Sequence, residues 1–135
     1  MTGKYNLTFH HIGCLTTNIE ETKKMYATGM GLVECSETFH ITSQQVKVCF
    51  IKNLSETYIE LVEPAGDTPS LNRLLNSKNM FYHLGYMARD FDKTIEELES
   101  NGFYLVNKFH SEAFSNKLCA FLYSPEKHLI EIIQQ

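Results

Sequence analysis

The two halves of this 135-residue chain match each other in sequence. Displaced by 72 residues, Phe9, His11 and Gly13 fall on Phe81, His83 and Gly85, with Ile12 on Leu84, Leu15 on Met87 and Thr22 on Thr94. At a displacement of 71, Gly31 falls on Gly102, Phe50 on Phe121, Ile59 on Ile130 and Glu60 on Glu131. The change of displacement is a single gap near the end of each half's helix. A period this long exceeds a solenoid unit. It predicts two copies of a small α+β module.

Each copy reads as strand, helix, three strands. Leu7–Leu15 is rich in β-formers. Asn18 is an N-cap candidate, and Glu20 and Glu21 put acid in the first turn of a helix. That helix carries Ile19, Thr22, Met25 and Tyr26 on one face and ends near Gly29 to Gly31. Strands follow around 32–39, 45–51 and 58–62, and the turn from Pro64 to Asp67 closes the half. Residues 70–75 read as a short linking helix with Leu71, Leu74 and Leu75 apolar. In the second copy a strand covers 82–87, and a helix starts at Asp90 or Asp92, runs to Ser100 and ends at Gly102. Its remaining strands lie near 103–108, 118–123 and 129–133. The expected organisation is one domain, 1–135, made of repeats at about 7–66 and 80–135.

The repeat puts chemistry in register. His11 and His83 are equivalent, as are Glu60 and Glu131. In YIELV, alternation turns Ile59 and Leu61 one way and Tyr58, Glu60 and Val62 the other. A carboxylate inside an apolar strand is costly to bury unless it is paired or bound to a cation. A single strand Glu or strand His is ordinarily structural; finding both twice, at equivalent positions, points to a shared site. Two imidazoles and two carboxylates suit a first-row divalent metal with coordination positions left for water or substrate. His10 points away from His11, and its repeat partner is Tyr82, so it reads as structural. His40, His110 and His128 read as solvated, and the acidic run EELES as the wet face of its helix.

Composition narrows the function classes. Twelve basic residues against sixteen acidic ones give a net charge of -4, which offers no electrostatic footprint for nucleic acid. No apolar run is long enough to span a bilayer, and the polar stretch Met1 to Thr8 lacks the apolar core of a signal peptide. Cys14, Cys35, Cys49 and Cys119 are scattered, with no CxxC pair, which predicts reduced thiols in a cytoplasmic protein. Open sheet edges in two short modules predict a homodimer.

The segments HHIG, YIELVEP, YHLG and LIEI, together with the duplication, resemble the vicinal oxygen chelate (glyoxalase/bleomycin-resistance/dioxygenase) superfamily. The resemblance runs from Phe9 to Ile133. It implies two tandem β-α-β-β-β modules in a cup-shaped mixed sheet. It also implies a divalent ion (Co, Mn, Ni or Zn) held by His11, Glu60, His83 and Glu131. Within the superfamily, IELVEPAGDTPSLNRLL is most similar to the methylmalonyl-CoA epimerase family. That likeness implies abstraction of a proton α to a thioester carbonyl in an acyl-CoA, with Glu131 or Glu60 as base. Lys47 is then a candidate second base or anion ligand and Lys117 a candidate contact for a substrate anion. The turn before the last strand, Ser124 to Lys127, is shorter than that family's.

Glyoxalase I (lactoylglutathione lyase) shares the four ligand types. It holds glutathione with an Arg and an Asn where this chain has Leu15 and Pro64, which ranks hemithioacetal isomerisation second. A non-catalytic small-molecule-binding relative is the alternative outside enzymology, and the complete ligand set argues against it.

Overall fold

The computed structural model describes residues 6–53 and 55–135. Met1–Tyr5, most of the polar N-terminal stretch read above, lie outside the described residues. The chain divides into two compact units, His11–Tyr82 and a second made of His83–Gln135 with the residues up to His10. Each contains the strand, helix and three strands that the duplication predicts.

In the unit His11–Tyr82, β1 (Leu7–Leu15, entering at His11) is followed by α1 (Ile19–Met30), β2 (Phe39–Ile41), β3 (Val46–Lys52), β4 (Tyr58–Pro64) and α2 (Pro69–Asn76). The strand order is β2-β3-β4-β1. β3 and β4 are antiparallel, with Phe50 opposite Glu60. β4 returns parallel to β1, with His11 opposite Tyr58 and Gly13 opposite Glu60. A parallel return needs a long crossover, and α1 with β2 and β3 supplies it. One face of these strands and α1 bury Cys14, Ile19, Cys49, Ile51, Ile59 and Leu61. At the turn after β4, the Asp67 N–H donates to Gln45 Oε1 at 3.0 Å. A Cβ at position 66 would collide with that Gln45 side chain, so Gly66 fits the bend.

The second unit repeats the plan with β5 (Phe81–Ala88, from His83 onward), α3 (Phe91–Ser100), β6 (Tyr104–Ser111), a 3-10 turn at Glu112–Phe114, β7 (Lys117–Tyr123) and β8 (Leu129–Gln134). Its order is β5-β8-β7-β6. β8 runs parallel to β5, with Gly85 opposite Glu131. β7 runs antiparallel to β8, with Phe121 opposite Glu131. Its core joins Ala88, Phe91, Ile95, Ala120, Leu122 and Ile132.

The helix signals work equally in both units. Asn18 Oδ1 accepts the Glu21 N–H at 3.0 Å, and Asp90 Oδ1 accepts the Lys93 N–H at 3.2 Å, each satisfying an otherwise orphaned amide. Gly31 (φ 72°) and Gly102 (φ 89°) take the left-handed conformation that follows each helix.

Two expectations need correction. Residues 32–39 do not form a strand; the segment makes one isolated bridge, Cys35 to Ile51, before β2 begins at Phe39. The Ser36 N–H still donates to the Phe50 carbonyl at 2.8 Å, but the Phe50 N–H goes to the Ser36 hydroxyl at 2.9 Å, where a continuing ladder would offer a backbone carbonyl. Met25 is 67% exposed rather than part of the packed face of α1. At about 100° per residue it stands about 120° from Ile19, whereas Tyr26 stands within about 20°.

Candidate metal centre

The candidate ligand set among the described residues is His11, Glu60, His83 and Glu131, and all four are buried. Each unit supplies one His and one Glu, and builds its pair identically. In His11–Tyr82, β1 carries His11 and the parallel β4 carries Glu60, with His11 Nε2 3.4 Å from Glu60 Oε1. Phe50, opposite Glu60 on β3, stands edge-on to the His11 ring at 5.6 Å between centroids. In the second unit His83 on β5 and Glu131 on β8 place Nε2 3.3 Å from Oε1. Phe121 stands edge-on to His83 at 5.2 Å.

The donor chemistry fits a cation. Two ligand atoms held about 2.1 Å from one first-row ion stand roughly 3.0–3.4 Å apart, from octahedral to tetrahedral angles. Both pairs fall in that range. Glu60 and Glu131 are only 5% and 4% exposed, which raises the cost of leaving their charges uncompensated. On the other face of β1, Cys14 lies in the core beneath α1, where burial first, then the Glu60 charge, pushes its thiol up to about 11.

Lys47 is not part of this face. It shares the opposite side of β3 with Cys49 and Ile51, and its Nζ lies 2.9 Å from Glu63 Oε2. Glu63 also accepts the Ile19 N–H at 2.9 Å, closing the start of α1. Burial raises the Glu63 carboxyl, but the Ile19 amide and the Lys47 ammonium outweigh it and hold the group below its ordinary value. Lys47 thus pairs with the carboxylate that closes a helix N-terminus, on the face opposite the candidate ligands. Lys117 starts β7, exposed, on the same face as Phe121. His40, His110 and His128 are exposed, and the His10 ring contacts Phe114 edge-on.

Phe50 and Phe121 are site-face residues with no role assigned from the sequence, although they coincide in the repeat as Glu60 and Glu131 do; Tyr58 stands on the Glu60 face, as strand alternation predicts.

The profile of the Glyoxalase/Bleomycin resistance protein/Dioxygenase superfamily matches residues 10–121. No curated protein matches the sequence significantly. Among solved structures, a hypothetical protein from Bacillus halodurans C-125 superposes with a TM-score of 0.82 at 22% identity, over 96% of this chain and 94% of that one. Methylmalonyl-CoA epimerase from Mycobacterium tuberculosis gives 0.84 at 18% identity, over 99% and 92%. A variant of the Streptomyces coelicolor methylmalonyl-CoA epimerase, in complex with 2-nitronate-propionyl-CoA, gives 0.80 at 19%, over 95% and 94%. At these identities the likeness is one of fold.

Proposed function

Because the chain belongs to the glyoxalase/bleomycin resistance protein/dioxygenase superfamily, we propose that its two His–Glu pairs close on one divalent cation and that the protein is a metal-dependent isomerase acting next to a thioester carbonyl. In this reading the two units work as one domain, His11, Glu60, His83 and Glu131 hold cobalt, manganese, nickel or zinc, and the substrate is an acyl-CoA of the methylmalonyl-CoA type. The duplicated, buried His–Glu pair carries the proposal. Two imidazoles and two carboxylates balance a divalent charge and leave positions for substrate oxygens.

The bound ion supplies Lewis-acid stabilisation of the negative charge that develops on the thioester oxygen. The remaining work belongs to the chain. Glu131 or Glu60, released from the ion, would accept the α-proton on one face, and a proton drawn from solvent would be returned on the other. Phe50 and Phe121, edge-on to His11 and His83, give the ligand set an apolar wall. Lys117, on the Phe121 face, meets an anionic group of the substrate. The uncovered edge strands β2 and β6 favour a homodimer.

Proton NMR of methylmalonyl-CoA in deuterium oxide tests the reading. The cobalt-loaded protein should remove the α-proton signal, and chelation should stop the loss. Exchange that survives chelation, or its absence with cobalt bound, overturns the proposal.

A further inference from the structure

The two units share a plan, but they differ around the helix that follows their first strand. In the repeat, Thr17, Met25 and Met30 correspond to Arg89, Glu97 and Asn101. The second unit thus carries polar side chains where the first carries two thioethers. Met25, Met30 and Phe81 are 67%, 64% and 71% exposed. They line a cavity of about 520 Å³ that lies wholly within His11–Tyr82. Its floor is formed by Cys14 and Leu61, members of the core beneath α1. A bond of 2.7 Å from the Leu15 N–H to the Met80 carbonyl holds the Phe81 side of the rim against the end of β1.

We propose that this cavity binds an uncharged, largely hydrocarbon small molecule, on the face of the sheet opposite His11 and Glu60. The inference goes beyond the metal-centred reading and needs no metal. Three observations support it. No Asp, Glu, Lys, Arg or His lines the cavity, so a charged ligand would be desolvated there without a counter-charge. The Thr16 and Thr22 hydroxyls bond each other at 2.6 Å, which satisfies them within the chain. The volume is that of a small-molecule site, and its depth argues against a flat partner: a surface laid across the rim would leave the floor at Cys14 and Leu61 unfilled. Exposed apolar side chains gathered around one concavity mark a binding surface, and the unbranched thioether of methionine adapts to the shape of what it covers.

N-phenyl-1-naphthylamine, a neutral dye that brightens in apolar surroundings, is a suitable probe. The wild-type chain should bind it saturably, and equally with and without a chelator. Met25→Glu should weaken binding about tenfold or more. Val33→Glu, at an exposed apolar residue outside the cavity, should leave it unchanged. 8-Anilinonaphthalene-1-sulfonate, the same skeleton bearing a sulfonate, should bind about tenfold more weakly or worse. In methyl NMR the neutral dye should shift the signals of Leu61, at the floor, and not those of Leu122, in the other unit. An affinity unchanged by Met25→Glu, or Leu61 signals that do not move, overturns the site. Equal affinity for the sulfonate overturns the uncharged assignment. A dimer in sedimentation velocity that Met25→Glu dissociates would make a second copy of the chain the occupant and overturn the small-molecule reading.

Discussion

His83 Nε2 lies 3.3 Å from Glu131 Oε1, and the pair is held by parallel pairing of β5 with β8, in which Gly85 faces Glu131. The His11–Glu60 pair is held by the same register, with Gly13 facing Glu60 at the junction of β1 and β4. Both pairs therefore depend on two strands that are distant in sequence. A one-residue slip of either strand would turn its ligand to the opposite face.

Replacing Glu131 with Gln keeps the shape of the side chain and removes its charge. Cobalt affinity should drop, and α-proton exchange should fall by about a hundredfold or more, with the circular dichroism spectrum unchanged. Full exchange activity in the variant would remove Glu131 from the site.

Leu122 is fully buried among Ala88, Phe91, Ile95 and Ile132. Leu122→Ala should destabilise the protein by about 2–5 kcal/mol in urea unfolding, through lost transfer energy and the cavity left behind. Val33, 74% exposed, should tolerate Ala within about 0.5 kcal/mol.

Much of this architecture was legible in the residues, and the reasons differ by element. The start of α1 carried a local signal, Asn18 before an acidic first turn, and the second half repeated it with Asp90. Glu60 and Glu131 could be singled out because a charge in an apolar strand is improbable once and telling twice. The segment after Gly31 was misread because its apolar residues suggest a strand, while the Ser36 hydroxyl that interrupts the ladder acts on Phe50, fourteen residues away. Lys47 sits on the α1 side of β3, and its partner Glu63 lies on a different strand. Sequence distance hid both contacts.

Glu63 gives a pH signature. Its carboxyl sits below its ordinary value in the folded chain, so folding favours the ionised form. The stabilisation is fully present above the unfolded value, near 4.5, and is lost as pH falls through the lower folded value. Stability measured by urea between neutral and acid pH should decline less steeply in Glu63→Gln than in the wild type. Parallel acid limbs would contradict the assignment.

Among the four cysteines, Cys35 is exposed, while Cys14, Cys49 and Cys119 are buried. Burial also raises the Cys14 and Cys49 thiols. Iodoacetamide near pH 8 should modify Cys35 first and the others only on unfolding, as peptide mass mapping will read. Rapid labelling of Cys14 in the folded chain would contradict the packing beneath α1.

The count of metal ions per chain tests whether the two His–Glu pairs share one ion. One cobalt ion per chain is expected after dialysis, measured by plasma emission spectrometry, with loss in His11→Ala and in His83→Ala alike. Two ions per chain would mean that each His–Glu pair binds separately. Two ions, no binding, or one ion that survives either substitution would contradict a centre built jointly by the two repeats.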